Sequence, residues 1–78
     1  MRTTHRFPLG TQYEARRGKC RDVCTVVDLL TTTNHRGEVV KLEYVTEHQF
    51  CGQAVRAVVV DTTIARGLLP AFTHLLFS

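Results

Sequence analysis

No stretch of this 78-residue chain approaches the ~20 consecutive apolar residues that a membrane-spanning helix needs, so no membrane partner is expected. An export signal is also missing from the first positions. Arg2 and Arg6 are not followed by an apolar run, because Pro8, Gly10, Gln12 and Glu14 interrupt it. Cysteine is scarce and odd in number, Cys20, Cys24 and Cys51, which speaks against a disulfide framework and for free thiols in a reducing cytoplasm. Acidic residues are nearly absent from the first 21 positions, where Glu14 stands alone against Arg2, Arg6, Arg16, Arg17, Lys19 and Arg21. Such an asymmetry is the pattern of a phosphate-binding footprint, and equally that of a solvated loop with a few arginines.

What the chain does contain is β-branched, alternating sequence. At 44% hydrophobic and 22% charged residues it is expected to fold rather than stay disordered. Its length allows one domain, and a domain of this size buries only about 60% of its unfolded surface. The clearest signal is residues 24–47, CTVVDLLTTTNHRGEVVKLEYVTE, read as two strands joined by the turn Asn34-His35-Arg36-Gly37. In the second strand Val40, Leu42 and Tyr44 share the inward face. In the first, Thr25, Val27 and Leu29 oppose Cys24, Val26 and Leu30, with no clean alternation to choose between them. Residues 11–16 predict an earlier, short edge strand with Thr11, Tyr13 and Ala15 inward. It is followed by a loop over residues 17–22 in which Gly18 provides the bend.

Residues 48–53 break the alternation, and Gly52 turns the chain into a nearly apolar run over 54–60. Asp61 or Thr62 is expected to cap a single helical turn that Gly67 ends in the left-handed conformation. Residues 69–78 form a strongly apolar tail, read either as a last strand or as a short helix starting at Pro70 with Phe72, Leu75 and Leu76 on one stripe. The expected core is Tyr13, Val27, Leu29, Val40, Leu42, Tyr44, Val55, Ala57, Val59 and Ile64. The order of elements predicts a mainly β fold, an SH3-like barrel of about five strands with one short helical turn. The alternative is an α+β fold with the tail as a helix on the sheet. Domain boundaries follow as a flexible N-terminus over 1–6, a β-barrel domain over 7–68 and the tail over 69–78.

The segments CTVVDLL, GEVVKLEYVTEHQFCGQAV and DTTIARGL, with the Gly10-Thr11 pair ahead of them, resemble a group of short uncharacterised proteins encoded on bacterial plasmids, genomic islands, integron cassettes and other mobile elements. The likeness spans residues 7–68 and implies accessory cargo of a mobile element, with no functional residue to carry over. In barrel layout and size alone the chain is also similar to the plasmid-borne type II dihydrofolate reductases, which build one active site through the middle of a tetramer. Their Val-Gln-Ile-Tyr strand is absent, with Ala57-Val58-Val59-Val60 in the comparable place.

Three constellations could carry chemistry. Cys20, Cys24, His48 and Cys51 supply the donors of a tetrahedral zinc site. Their spacing lacks two tight knuckles, so the expectation is no metal and no cofactor, with Cys24 buried as a small hydrophobe and Cys20 and Cys51 partly exposed. Cys51 and His48 lie three residues apart but lack an oxyanion donor or glycine-rich elbow, so no catalytic residue is assigned. Arg16, Arg17, Lys19 and Arg21 are the candidate nucleic-acid contacts, with Tyr13, Tyr44 or Phe50 available for stacking. Apolar residues left over from so small a core, Val58, Val60, Leu69, Phe72, Leu75, Leu76 and Phe77, are the candidate homo-oligomer interface. The expected function is therefore a non-enzymatic binding module acting on a protein or nucleic acid, the alternative being a small enzyme whose site forms at a homo-oligomer interface.

Overall fold

In a computed structural model that describes residues 4–77, without the side chain of Arg17, the chain forms four antiparallel strands in one sheet of order β1-β2-β3-β4. They are β1 (Gln12–Arg17), β2 (Cys20–Thr33), β3 (Val39–Phe50) and β4 (Gln53–Val59), followed by α1 (Asp61–Arg66) and a 3-10 helix (Pro70–Phe77). The protein is mainly β, but four strands replace the expected five, and the sheet stays open. Of the expected last strand there is a single bridge, Leu68 to Tyr13 on the outer edge of β1. The tail is helical from Pro70, as one of the two readings had it.

Turn chemistry fixes the three hairpins. Asn34 accepts from the Arg36 and Glu38 amides through its side-chain oxygen, while Gly37 takes φ 80°, closed to most side chains. Between β3 and β4 the two turn residues are Cys51 and Gly52, with φ 51° and 78°, the positive pair that a type I′ hairpin requires. β3 therefore runs through Phe50 instead of breaking at His48. Likewise the expected loop over 17–22 is a tight turn at Gly18 and Lys19, and β2 begins at Cys20, four residues earlier than the sequence indicates.

Two bulges explain the ambiguous faces. Val26 pairs with Thr46 and Asp28 with Val45, so Val27 is an extra residue and the inward parity of β2 switches there. Cys24 and Val26 are buried before the bulge and Leu29 packs inward after it. In the same way Thr32 pairs with Lys41 and Thr33 with Val39, leaving Val40 as the extra residue on β3. Val40 is exposed, contrary to expectation, and Leu42 is only half-buried. The tip of this hairpin extends beyond β1, which pairs only as far as Thr25, and β4, which begins its pairing at Tyr44.

The core consists of Phe7, Tyr13, Cys24, Val26, Tyr44 and Ile64, with Thr11, Thr46 and His48 buried among them. Phe7 is held by its chain: the Tyr44 hydroxyl accepts from the Arg6 and Phe7 amides at 3.1 and 3.4 Å. His5 Nε2 lies 2.9 Å from the carbonyl oxygens of both Leu30 and Glu43, to which it can donate. Met1–Thr3 of the N-terminus expected to be flexible, and Ser78 of the tail, lie outside the described residues. Ala57, expected in the core, is exposed, and Val55 is half-buried on the uncovered part of the sheet.

The helix ends differently from the expectation. Val60 is the N-cap residue, with no side-chain cap bond, so neither Asp61 nor Thr62 fills that role. Gly67 ends α1 at φ -115°, outside the left-handed region. Its glycine is required for another reason: a Cβ there would run into the backbone carbonyl of Glu14, whose amide donates to the Gly67 oxygen at 2.8 Å.

Candidate functional site

Gly67 brings the end of α1 against β1 and so creates a cleft. Glu14 N–H to Gly67 O and Leu69 N–H to Gln12 O tie residues 67–69 along the outer edge of β1. The tie stops at Glu14, and the strand continues free through Arg16. The cleft that opens there, about 680 Å3, is lined by Tyr13, Glu14, Ala15 and Arg16 on one side and Thr63, Arg66, Leu68, Leu69 and Pro70 on the other.

Charge is concentrated at this place. Residues 14–21 and Arg66 carry Arg16, Arg17, Lys19, Arg21 and Arg66 against Glu14, and Asp22 adds one further carboxylate beside them. The rest of the sequence has five cations and five carboxylates, so the net charge of +3 falls within residues 14–22 and Arg66. Glu14 is engaged by Arg21 at 3.5 Å, a partly exposed pair that contributes little to stability but occupies the one carboxylate that lines the cleft among the described residues. Arg16 and Arg66, both exposed, have no ion-pair or side-chain hydrogen-bond partner among the described residues. The arrangement offers two unpaired guanidiniums, a threonine hydroxyl and a focused positive field, which suit an anion with several oxygens.

Of the expected nucleic-acid residues, Arg16 and Arg21 stand opposite each other across the β1–β2 ladder, Lys19 is exposed in the turn, and Arg17 pairs in register with Cys20. Sequence reasoning missed Arg66 and Thr63, which lie far along the chain from the basic loop; the DTTIARGL helix held the signal, in that one turn of helix places Thr63 and Arg66 on one face. The stacking candidates divide. Tyr13 and Tyr44 are buried at 2% and 1% exposure and cannot stack on a base, whereas Phe50 is exposed on the far hairpin.

The cysteines and His48 do not assemble a metal site: among the described residues no group of three or more histidine, cysteine or acidic side chains could hold an ion. Cys24 is buried, and Cys20 and Cys51 are exposed at the first residue of β2 and in the β3–β4 turn. His48 is buried, and its Nε2 has no hydrogen-bond partner among the described residues. Of the candidate interface residues, Val58, Val60, Leu76 and Phe77 are exposed, Leu69 and Phe72 are half-buried, and Leu75 packs against the core.

The inner wall of the cleft rests on Tyr13, whose hydroxyl lies 3.1 Å from Thr46 Oγ1. Burial pushes its phenol above the ordinary value of 10.0, the Thr46 hydrogen bond acting in the opposite direction and Cys24 adding to the rise. A raised folded-state pKa contributes stability that is complete below pH 10 and is lost as pH rises through the folded value. Urea titrations at increasing alkaline pH are expected to show a falling midpoint, and Tyr13→Phe to flatten that fall. An unchanged alkaline slope in the variant would show that Tyr13 is not the group responsible.

Comparison with models of known protein families, with curated proteins and with solved structures finds no match to this chain. Among the described residues no helix is long and apolar enough to cross a membrane.

Proposed function

We propose that this protein is a small, non-enzymatic module that binds the phosphate backbone of nucleic acid in the cleft between β1 and α1. The observation that carries this reading is a cleft lined by Arg16 and Arg66, neither with an ion-pair or side-chain hydrogen-bond partner among the described residues, beside the basic stretch of residues 16–21. Lys41 and Arg56 are paired to Glu43 and Glu47, whereas Arg16 and Arg66, which face each other across the cleft, have no ion pair among the described residues. With Tyr13 and Tyr44 buried, the cleft has no stacking platform, so binding rests on phosphates and is indifferent to sequence.

Three finer features belong to the same reading. An SH3-like arrangement is supported by the strand order and by the Leu68 bridge that begins to close the sheet on β1. Self-association is supported by the exposed Val58, Val60, Leu76 and Phe77. Carriage by a bacterial mobile element, with action in the cytoplasm, is supported by the resemblance over residues 7–68 and by cysteines that form no disulfide among the described residues.

Anisotropy of a labelled oligonucleotide of mixed sequence tests the binding. Affinity should fall steeply with salt, and Arg16→Ala combined with Arg66→Ala should reduce the log–log slope by roughly 1.5–2. The loss should be the same for oligonucleotides of different sequence. An unchanged slope in the double variant would refute the cleft as the phosphate site.

A further inference from the structure

We infer that β4 is the pairing edge of a two-fold dimer, in which the β4 strands of two copies run antiparallel and join two four-stranded sheets into one of eight. The inference rests on the self-association in the proposed function and names its surface.

The two edges of the sheet are treated differently. The outer edge of β1 is covered by residues 67–69 through two main-chain hydrogen bonds and the Leu68 bridge. β4 has β3 on one side and, among the described residues, no backbone hydrogen bond on the other. An open edge is normally blunted by proline, by a bulge, by inward charge, by shortness or by cover. β4 shows none of these. It has seven residues, no proline, and an unbroken register from Phe50–Gln53 to Tyr44–Val59. Its single charge, Arg56, is held by Glu47 at 3.0 Å on its own sheet. Ala54, Ala57 and Val58 are exposed on it, with Val60 just beyond.

A second copy fits this edge better than an unrelated strand, because the strand is self-complementary. With the two-fold axis at Ala57, Val55 of one copy faces Val59 of the other, Arg56 faces Val58, and Ala54 faces Val60. The two Arg56 residues are then not directly opposite, avoiding the like-charge contact that an axis at Arg56 would impose. Isologous pairing of one strand with itself also closes, and the other edge is tied by residues 67–69 as far as Glu14, which leaves little edge for further growth. The paired length, about 23 Å, places the contact at the small end of specific interfaces and predicts a dimer that dissociates on dilution, on the order of micromolar.

Sedimentation of the intact chain across a concentration series, with hydrogen exchange on the same samples, tests this. The expected result is a monomer–dimer equilibrium in which β4 amides become protected as the dimer forms, an observation that needs no variant. Val58→Lys, at an exposed position, should weaken dimerisation at least tenfold while leaving the far-UV circular dichroism unchanged, whereas Phe77→Lys should not. A wild-type chain that stays monomeric at about 100 times that concentration overturns both the edge and the self-association reading. A dimer that survives Val58→Lys but is lost in Phe77→Lys, without protection in β4, overturns the edge alone and assigns the contact to the tail.

Discussion

Phe7→Ala is expected to remove about 3–5 kcal/mol of stability, the range for emptying a fully buried aromatic site. For a chain of this length the whole stability is roughly 4–12 kcal/mol, so the variant is expected to be partly or wholly unfolded at ambient temperature. The size of the effect follows from position. Phe7 has no exposed surface, lies 6.0 Å from the Tyr44 ring, and fills the core from a segment outside every strand. Its backbone is held by the Tyr44 hydroxyl, so the neighbouring chain cannot readily collapse into the space left. A urea titration measures the loss. A change under about 1 kcal/mol would mean that residues 4–10 are not part of the cooperative core.

Gly67→Ala is expected to cost about 2–4 kcal/mol, from overpacking together with a lost main-chain hydrogen bond. The added methyl cannot be accommodated by a side-chain rotation, because what it meets is the backbone of Glu14, and one of the two must retreat. Retreat breaks the Glu14-to-Gly67 hydrogen bond and uncovers β1. Gly18→Ala is the useful contrast: its Cβ meets nothing within 4 Å, so only the positive φ of 58° is strained, at about 1 kcal/mol. Hydrogen exchange separates the two effects. The Glu14 amide should lose protection in Gly67→Ala and keep it in Gly18→Ala. Equal midpoints for the two variants would contradict the close approach at Gly67. Because the same contact forms the back of the cleft, Gly67→Ala should also weaken oligonucleotide binding.

The parts of the fold that are legible in the sequence are those with a local cause. Asn34 and Gly37 specify their turn through a side-chain acceptor and a positive φ, and both act within five residues. Tyr44 lies in a run whose period of two is intact, and it is buried. Ile64 is the one large apolar side chain of a short helix and is fully buried. Where the sequence misleads, the cause is an added residue or a distant partner. Val27 and Val40 are ordinary strand residues by composition; only the register with the opposing strand makes them bulges, and each reverses the faces beyond it. Thr46 and His48 are polar by type but buried by position. Thr46 satisfies its hydroxyl on Tyr13, 33 residues away, a partner that lies outside any local pattern.

The candidate site shows the same division. Arg16, Lys19 and Arg21 stand out as a cluster along the chain, so their common location needs no tertiary information. Arg66 looks like an ordinary last-turn helix cation, compensating the helix dipole. It joins the cluster only because Gly67 presses α1 onto β1. That contact sets guanidiniums on both walls of one cleft beside the basic hairpin tip.

A heteronuclear NMR titration of the unmodified protein with a single-stranded oligonucleotide is the most direct measurement of where the anion sits. Binding in the cleft shifts the amides of Ala15, Arg16, Lys19, Arg66 and Leu68, saturates, and is reversed by added salt. Shifts confined to β4 and residues 70–77, or no shifts at all at low ionic strength, would contradict phosphate binding between β1 and α1.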